Sequence, residues 1–453
     1  MIRALVALVL SASAAVAQER PNVVFICSDD QRADTIAALG NRHIETPHLD
    51  RMARDGVAFT NAFCMGSTQP AVCVPSRAMF LSGRSLFRVN DQLRDTPTWP
   101  EVFRRAGYHT FGVGKWHNGP ASYARSFDAG GPIFFGGMSN QNRVPIHPFD
   151  PTGAYPKANL RTGDEYSTTL FADAAVRFLT EYRGDKPFFL YLTLTSPHDP
   201  RTPPAGAGRR YDPAGLPLPR NFLPRHPFDN GELTVRDEML LGWPRVEADV
   251  RRELAAYYAM VSHIDAQVGR IRDALERHGR ARNTIVIFMS DHGLALGSHG
   301  LLGKQNLYDH SMRAPLLLTG SGIPAGGRSA TLVYLFDLFP TVAEWCRVPL
   351  PPGVDGKSLT RVVAGHEAGV RDVLFLAYRN VQRGVRTDRW KLIRYPQTDR
   401  TQLFDIATDP DETTDLSRDP AHGAALRDLT TRLETEQRVS GDPLAVGMPN
   451  PKK

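Results

Sequence analysis

The 453-residue chain is predicted to adopt an α/β fold, with a large, mostly parallel sheet sandwiched by helices and a small C-terminal subdomain. Two observations predict this architecture. Short apolar runs alternate with segments of helical spacing along most of the chain, which is the pattern of βαβ units. Past Leu350 the alternation gives way to four short strands in succession and an amphipathic helix, which indicates an antiparallel sheet plus helix.

The strands of the large sheet are predicted at five apolar runs rich in β-branched and aromatic residues. These runs are 22–27, 110–113, 187–194, 284–289 and 314–319. The helices between them are predicted at 46–56, 98–106, 166–182 and 250–278. Two segments rich in Pro, Gly, Asn and Arg, 119–163 and 199–244, lack periodicity and are predicted to be long loops around the active edge of the sheet.

The C-terminal subdomain begins after the Pro-Pro-Gly stretch at 351–353, which is predicted to be a hinge. Its strands are predicted at 374–378, 382–387, 390–395 and 402–405, and its helix at 421–439. The chain is therefore divided into a catalytic α/β domain, 18–355, and a C-terminal subdomain, 356–453.

Residues 1–17 have the layout of a secretory signal peptide. Arg3 precedes an apolar stretch of small residues, and Ala15-Val16-Ala17 provides a cleavage site. This predicts a periplasmic or secreted bacterial protein. No later apolar run is long enough to cross a bilayer. The four cysteines are too few for a disulfide scaffold, and the sequence does not determine whether any two of them pair.

The charge balance mildly favours anionic partners. The formal net charge is +6, which attracts polyanions but is equally compatible with an ordinary basic surface. An exported location argues against a nucleic-acid partner. Hydrophobic residues make up 42% and charged residues 23% of the chain, which is typical of a globular protein with a substantial core.

Polar residues with catalytic potential follow four of the predicted strands. Asp29-Asp30 comes after the first strand, Lys115-Trp116-His117 after the second, Pro197-His198 after the third and Asp291-His292 after the fourth. In parallel sheets, ligands bind beyond the carboxyl ends of the strands. The sequence therefore predicts an active site at this edge.

Two of these groups predict a metal ion. Adjacent aspartates such as Asp29 and Asp30 raise each other's pKa unless a cation lies between them. Asp291 and His292 repeat the pattern after another strand, which weakens the alternative that the acids only cap helices. Ligation dominated by oxygen favours Ca²⁺ or Mg²⁺ over zinc, although His292 is a softer ligand than either ion prefers.

The segment Cys73-Val74-Pro75-Ser76-Arg77 combines a thiol with a helix start and a permanent cation. Pro75 is suited to the first turn of a helix, and Arg77 can direct a guanidinium toward an anion near that helix N-terminus. From these residues alone, Cys73 is either a reactive thiol with a lowered pKa or a buried structural cysteine.

Cys73-x-Pro75-x-Arg77, followed by Ser82-Gly83, resembles the signature of the type I, formylglycine-dependent sulfatases of the alkaline-phosphatase superfamily. The resemblance is greatest to secreted bacterial carbohydrate sulfatases and extends over nearly the whole chain after the signal peptide. Further matching blocks in chain order are Pro21-Asn22-Val23-Val24, Asp29-Asp30, Thr46-Pro47-His48-Leu49-Asp50, Gly114-Lys115-Trp116-His117, Ser196-Pro197-His198, Ser290-Asp291-His292-Gly293, Gly303-Lys304, Arg389-Trp390-Lys391-Leu392 and Leu403-Phe404-Asp405. Many relatives have Asn where His292 stands, and some carbohydrate sulfatases have His.

The resemblance implies the chemistry of the site. Cys73 would be converted to formylglycine (3-oxoalanine) by a formylglycine-generating maturation enzyme. One Ca²⁺ would be bound by the side chains of Asp29, Asp30, Cys73, Asp291 and His292. The remaining catalytic residues would be Arg77, Lys115 and Lys304 as cations, His198 as the acid for the leaving alcohol, and His117 as the base that releases sulfate.

The implied function is the removal of sulfate from a sulfated carbohydrate during polysaccharide degradation. Two alternatives remain at this point. A phosphonate monoester or phosphodiester hydrolase would use the same nucleophile on a related anionic ester. A non-catalytic secreted carbohydrate-binding protein would leave Cys73 unmodified, although binding alone would not require His117 and His198.

Overall fold

The computed structural model describes residues 19–445, so the predicted signal peptide at 1–17 lies outside the described residues. The strands are β1 (Asn22–Ser28), β2 (Gly56–Phe63), β3 (Gly66–Ser67), β4 (His109–Lys115), β5 (Ala129–Phe134), β6 (Pro145–Ile146), β7 (Arg161–Thr162), β8 (Phe188–Thr193), β9 (Thr284–Ser290), β10 (Arg313–Gly320), β11 (Gly327–Ser329), β12 (Val333–Tyr334), β13 (Leu374–Tyr378), β14 (Gln382–Arg386), β15 (Trp390–Tyr395) and β16 (Arg400–Asp405). The helices are α1 (Pro47–Asp55), α2 (Cys73–Ser82), α3 (Trp99–Arg105), α4 (Pro120–Ser126), α5 (Ser167–Glu181), α6 (Glu247–Arg277), α7 (Asp309–Met312), α8 (Leu338–Trp345), α9 (Thr360–Val363) and α10 (Gly423–Ser440).

A large sheet in the order β11-β2-β10-β9-β1-β8-β4-β5 forms the centre of the molecule, and β12 also pairs with β2. The central strand β1 is parallel to both β8 and β9, whereas β10 runs antiparallel to β9 and β2. Successive β1 side chains pack into cores on opposite faces, Phe25 on one and Ile26 on the other. The predicted mostly parallel sheet between helices is therefore confirmed.

The five predicted strands of this sheet and the four predicted helices are all present, with ends that differ by a few residues. The prediction of an unstructured loop over 119–163 is wrong, because that segment contains α4 and the edge strand β5. Strand β5 has the sequence Ala-Gly-Gly-Pro-Ile-Phe. Glycine and proline have low strand propensity, so the sequence did not predict this strand. In contrast, 199–244 contains only short 3₁₀ turns, as expected for a long loop.

The C-terminal meander is confirmed as β13 to β16, but its sheet has a fifth strand from elsewhere in the chain. Strand β3 pairs in parallel with β13, next to the start of α2. Gly66 has φ of 116°, and a Cβ atom there would lie 1.9 Å from the Ala377 carbonyl oxygen, so the two backbones meet only because this residue is glycine. The small sheet is therefore built partly from the segment that leads into the Cys73 helix.

All four cysteines are buried free thiols, and Cys27 packs within the core as its apolar strand predicts. Over residues 19–445, no helix combines the length and the apolar character needed to cross a membrane.

Candidate active site

The side chains predicted to carry the chemistry meet at the carboxyl edge of the large sheet. Each of them contacts at least one other member of the group. The group consists of Asp29, Asp30, Cys73, Arg77, Lys115, His117, His198, Asp291, His292 and Lys304. All of these residues are buried except His117, which is partly exposed.

Close packing of two strands places Lys115 in this group. Gly114, with φ of 93°, lies against the neighbouring strand β8, and a Cβ atom would come within 1.8 Å of the Thr193 carbonyl oxygen. The Thr193 hydroxyl in turn donates to the Lys115 carbonyl. Glycine therefore lets the chain turn the lysine side chain directly toward the end of β1, where Asp29 lies.

Three buried carboxylates each face a buried cation. Arg77 Nε donates to Asp291 Oδ2 at 3.0 Å, and the Lys115 ammonium binds the Asp29 carboxylate. Lys304 Nζ donates to both Asp30 oxygens, at 2.7 and 2.9 Å.

The environment keeps Lys304 charged. Burial by itself would lower the pKa of Lys304, but Asp30 and Asp237 raise it well above its ordinary value. The negative charges of the three carboxylates are thus balanced by the positive charges of the three cations. A divalent cation added to the cluster would leave it with excess positive charge for an anionic substrate.

The His292 ring provides a structural test for a metal. Its Nδ1 lies 2.9 Å from the Gly293 carbonyl, which can only accept, so Nδ1 carries the proton. Nε2 is buried without a hydrogen-bond partner, and against the effect of burial Asp291 and Asp30 raise the pKa of the ring to about 9, so this nitrogen favours a positive charge, from either a proton or a metal ion. It lies 3.4 Å from Asp30 Oδ1 and 3.9 Å from Asp291 Oδ1. An unpaired imidazole nitrogen beside two carboxylates suits a cation, so these residues fit a metal ion.

Asp30, Asp291 and His292 form one group whose ligand atoms all lie within 4.8 Å of one another. The Asp29 carboxylate lies beside this group and is oriented toward Lys115 and Arg77. Asp30 also forms a second acidic group with His198 and Asp199, but the Lys304 ammonium lies there. A lysine charge thus takes the position that a second metal would need.

Cys73 is the first residue of α2, a helix whose residues are all buried. Its Sγ lies 3.3 Å from His117 Nδ1. Burial raises the pKa of a thiol, but Lys115, His292 and Lys304 hold the pKa of Cys73 below its ordinary value. Cys64, nine residues earlier, lacks this compensation, and burial raises its pKa to about 12. Of these two thiols, only Cys73 lies where negative charge is stabilised.

The two histidines flank the site from different elements. Burial and the nearby Lys115 ammonium lower the pKa of His117 well below its ordinary value, so its ring is neutral and can accept a proton. His198 Nδ1 donates to the Asp199 carbonyl at 2.9 Å, and its Nε2 accepts from Lys304 Nζ at 3.0 Å. The Lys304 proton is therefore adjacent to the His198 ring.

Three site residues on the long loop were missed by sequence reasoning. The Asp199 carboxylate lies 3.3 Å from His198 Nδ1 and pairs with Arg236. Asp237 Oδ2 lies 3.8 Å from Lys304 Nζ and accepts from Gln305. The position of Asp199 directly after His198 was the available signal, because an acid often orients a catalytic histidine. Arg236 and Asp237 have no comparable local pattern.

The fold is alkaline-phosphatase-like and is shared with solved sulfatase structures. The family model described as Sulfatase matches residues 21–348, and one described as N-sulphoglucosamine sulphohydrolase, C-terminal, matches 297–439. The chain belongs to the sulfatase family and is a sulfuric ester hydrolase, which excludes the alternative of a non-catalytic binding protein.

Similar proteins include carbohydrate-active sulfatases. A sulfatase of Formosa agariphila is 29% identical, over 87% of this chain and 82% of its own length. An N-acetylglucosamine-6-O-sulfatase of Bacteroides thetaiotaomicron is 26% identical, over 94% of this chain and 87% of its own length.

Solved structures share the fold. One, a complex with its substrate D-glucosamine-2-N,6-O-disulfate, aligns with a TM-score of 0.80 and 23% identity over 96% of this chain and all of that one. The phosphonate monoester hydrolase of Agrobacterium radiobacter aligns with a TM-score of 0.74 and 23% identity, over 93% of this chain and 96% of that one.

Proposed function

We propose that this sulfatase removes sulfate from a sulfated carbohydrate and that its nucleophile is a formylglycine hydrate derived from Cys73. One observation carries the proposal. The Cys73 side chain begins a buried helix, lies 3.3 Å from a neutral histidine and is surrounded by buried cations. The N-acetylglucosamine-6-O-sulfatase relative and the structure bound to a glucosamine disulfate support a saccharide as the substrate.

The nucleophile requires maturation. A formylglycine-generating enzyme, using an external oxidant such as dioxygen, would convert the Cys73 CH2–SH group to an aldehyde with loss of the sulfur, and water would add to form a geminal diol. One hydroxyl oxygen attacks sulfur while the bond from sulfur to the sugar oxygen breaks. The other hydroxyl allows the sulfate to be released, because loss of its proton expels sulfate and regenerates the aldehyde. A serine could not release sulfate in this way.

The ligand set is proposed to hold one Ca²⁺, bound by Asp29, Asp30, Asp291, His292 and the modified residue 73. When bound, the ion supplies positive charge that stabilises a sulfate oxygen and lowers the pKa of the diol. Carboxylate oxygens dominate the set, which favours calcium. The Lys304 ammonium beside Asp30 suits a single metal and a monoanionic ester, because it adds one charge where a second divalent ion would add two.

Proton transfer is assigned to the two histidines. His198, whose Nε2 lies 3.0 Å from the protonated Lys304 Nζ, relays a proton from that ammonium to the departing sugar oxygen. His117 accepts the proton of the second hydroxyl, consistent with its neutral ring and its distance to the nucleophile side chain. Arg77 and Lys115 hold the negative charge that develops between them.

We further propose that residues 1–17 direct export, so that the enzyme works in the periplasm or outside the cell on polysaccharides or their fragments. The sequence layout of a signal peptide and the basic charge balance support this.

Replacing His198 with Ala is expected to affect saccharide substrates selectively. A sugar alkoxide is a poor leaving group, so kcat/KM on a sulfated sugar should fall by about 100-fold or more. 4-Nitrophenolate leaves without protonation, so kcat/KM for 4-nitrophenyl sulfate should fall by less than about tenfold. His43→Ala, at an exposed histidine, serves as the control. Equal losses on both substrates would contradict the acid role.

The substrate assignment is tested by comparing kcat/KM for sulfated oligosaccharides, an aryl sulfate and an aryl phosphonate with matured enzyme. We expect the sulfated oligosaccharides to be preferred. The alternative, a phosphonate monoester or phosphodiester hydrolase, uses the same nucleophile, and one such hydrolase shares the fold. A large preference for the phosphonate would replace the proposed function with this alternative.

A further inference from the structure

A cavity of about 600 Å³ lies between the long loop and the small sheet. Its wall includes Phe228 and Asp229 from the loop, Arg400 at the start of β16, and Arg418 after that strand. None of the ten predicted site residues lines it.

The two arginines of this cavity have no acidic partner among residues 19–445. Neither side chain donates a hydrogen bond or forms an ion pair there, whereas Arg236 of the long loop and Arg379 directly after β13 are paired with Asp199 and Glu232. The Arg400 guanidinium stacks on the Phe228 ring at 4.1 Å. Stacking orients a guanidinium without using its donors, so they remain available for an anion.

The rest of the lining is polar rather than purely cationic. The lining also holds two carboxylates, those of Asp229, whose Oδ1 accepts from the Gly231 amide, and Asp399, while Thr398 and Ser417 add hydroxyls. Mixed donors and acceptors around two arginines suit a sugar that carries both hydroxyl groups and a negative substituent better than a bare inorganic anion.

The same loop connects this cavity to the active site. Phe228 contributes to the cavity wall, while Arg236 and Asp237 contact Asp199 and Lys304 in the site. Buried Glu232, paired with Arg379, anchors the loop between them. Positions 228 and 237 are nine residues apart in the chain, so their Cα atoms are no more than about 32 Å apart. This span is within the length of an oligosaccharide of several units.

We propose that this cavity is an accessory subsite for the saccharide whose ester is cleaved, and that Arg400 and Arg418 bind a sulfate or carboxylate group on a more distant sugar unit. The inference rests on the proposed function, because it assigns the remote part of the same substrate. It adds binding that a monosaccharide or an aryl sulfate cannot use.

The test measures binding separately from turnover. In a Cys73→Ala background, which cannot hydrolyse the probe, affinity for short dextran sulfate is measured by calorimetry at low ionic strength. The double variant Arg400→Gln, Arg418→Gln should bind about tenfold more weakly, since charge-assisted hydrogen bonds are lost. Arg427→Gln, at an exposed arginine of α10 outside the cavity, is the matched control and should bind normally. Polygalacturonate in a parallel arm shows whether carboxylates are bound as well as sulfates.

Kinetics on otherwise native, matured enzyme provide the second readout. The double variant should show a raised KM for sulfated oligosaccharides and an unchanged kcat/KM for 4-nitrophenyl sulfate. Arg418→Gln alone, at an exposed side chain, should show part of this effect without any risk to folding. Unchanged dextran sulfate affinity, or an equal loss in Arg427→Gln, would overturn the subsite. Arginine-dependent binding by an enzyme that hydrolyses no saccharide sulfate would support the subsite and overturn the proposed function.

Discussion

Replacing Cys73 with Ala is expected to abolish turnover, lowering kcat by roughly four orders of magnitude or more, as loss of a nucleophile does. The matched control is Cys64→Ala, which removes a second buried thiol. That variant should lose some stability and retain most activity, because the Cys64 sulfur hydrogen-bonds to the nearby Gly66 backbone and its thiol pKa is raised to about 12, so it does not act as a thiolate. Rates on an aryl sulfate, with melting temperatures for both variants, provide the measurement.

The same position should carry an aldehyde in active enzyme. The tryptic peptide 55–77 contains both Cys64 and Cys73, so one of its thiols serves as an internal standard. After production in a host with a maturation enzyme, reduction and alkylation should modify Cys64, while a hydrazide reagent should label residue 73. Fully active enzyme with both thiols alkylated would rule out the formylglycine mechanism.

Replacing Asp291 with Asn is expected to remove the metal and lower kcat/KM about 10³-fold, in the range seen when a group that stabilises transition-state charge is lost. Asn can still accept hydrogen bonds from the Asp30 and His292 amides, which Asp291 Oδ1 accepts in the native protein. It cannot supply the charge that balances a cation and Arg77. Elemental analysis should find about one calcium per native chain and almost none in the variant.

Asp265→Asn controls for the loss of a buried carboxylate. Asp265 lies on α6, accepts from the His48 and Leu49 amides, and has a pKa raised to about 6, chiefly by burial. This variant should keep both calcium and activity. Chelation of the native enzyme should lower its melting temperature reversibly, because a ligand that binds only the folded state stabilises it. Stoichiometric zinc, or calcium retained in Asp291→Asn, would contradict the ligand assignment.

The site residues that the sequence predicted are those that follow a strand end or belong to a short motif. Asp29, Lys115 and Asp291 each lie at or directly after the end of a parallel strand, so the topology alone brings them to one edge. Cys73 and Arg77 were found through a motif on a single helix. The grouping of these residues is therefore a consequence of the sheet, and the structure places all of them together.

What could not be predicted depends on contacts between distant segments. Arg236 and Asp237 reach the site from a loop without periodicity, where Arg236 meets Asp199 at the other end of the loop and Asp237 meets Lys304 outside it. Strand β5 was missed because its glycines are required by the packing of its neighbours. A Cβ on Gly130 would lie 2.3 Å from the Gly112 carbonyl oxygen. Glycine has a low strand propensity, so these positions do not indicate a strand in the sequence.

The pairing of β3 with β13 has a consequence for the order of events during synthesis. Cys73 is only 3% exposed in the folded chain, so a second enzyme cannot reach it there. The backbone before Cys73 reaches its final place only when Ala377 and Tyr378 are available to pair with Gly66 and Ser67. Closing so long a loop is slow. While most of the chain is still being made, the cysteine is not yet enclosed by this pairing, so the proposed maturation enzyme would have to act within that interval.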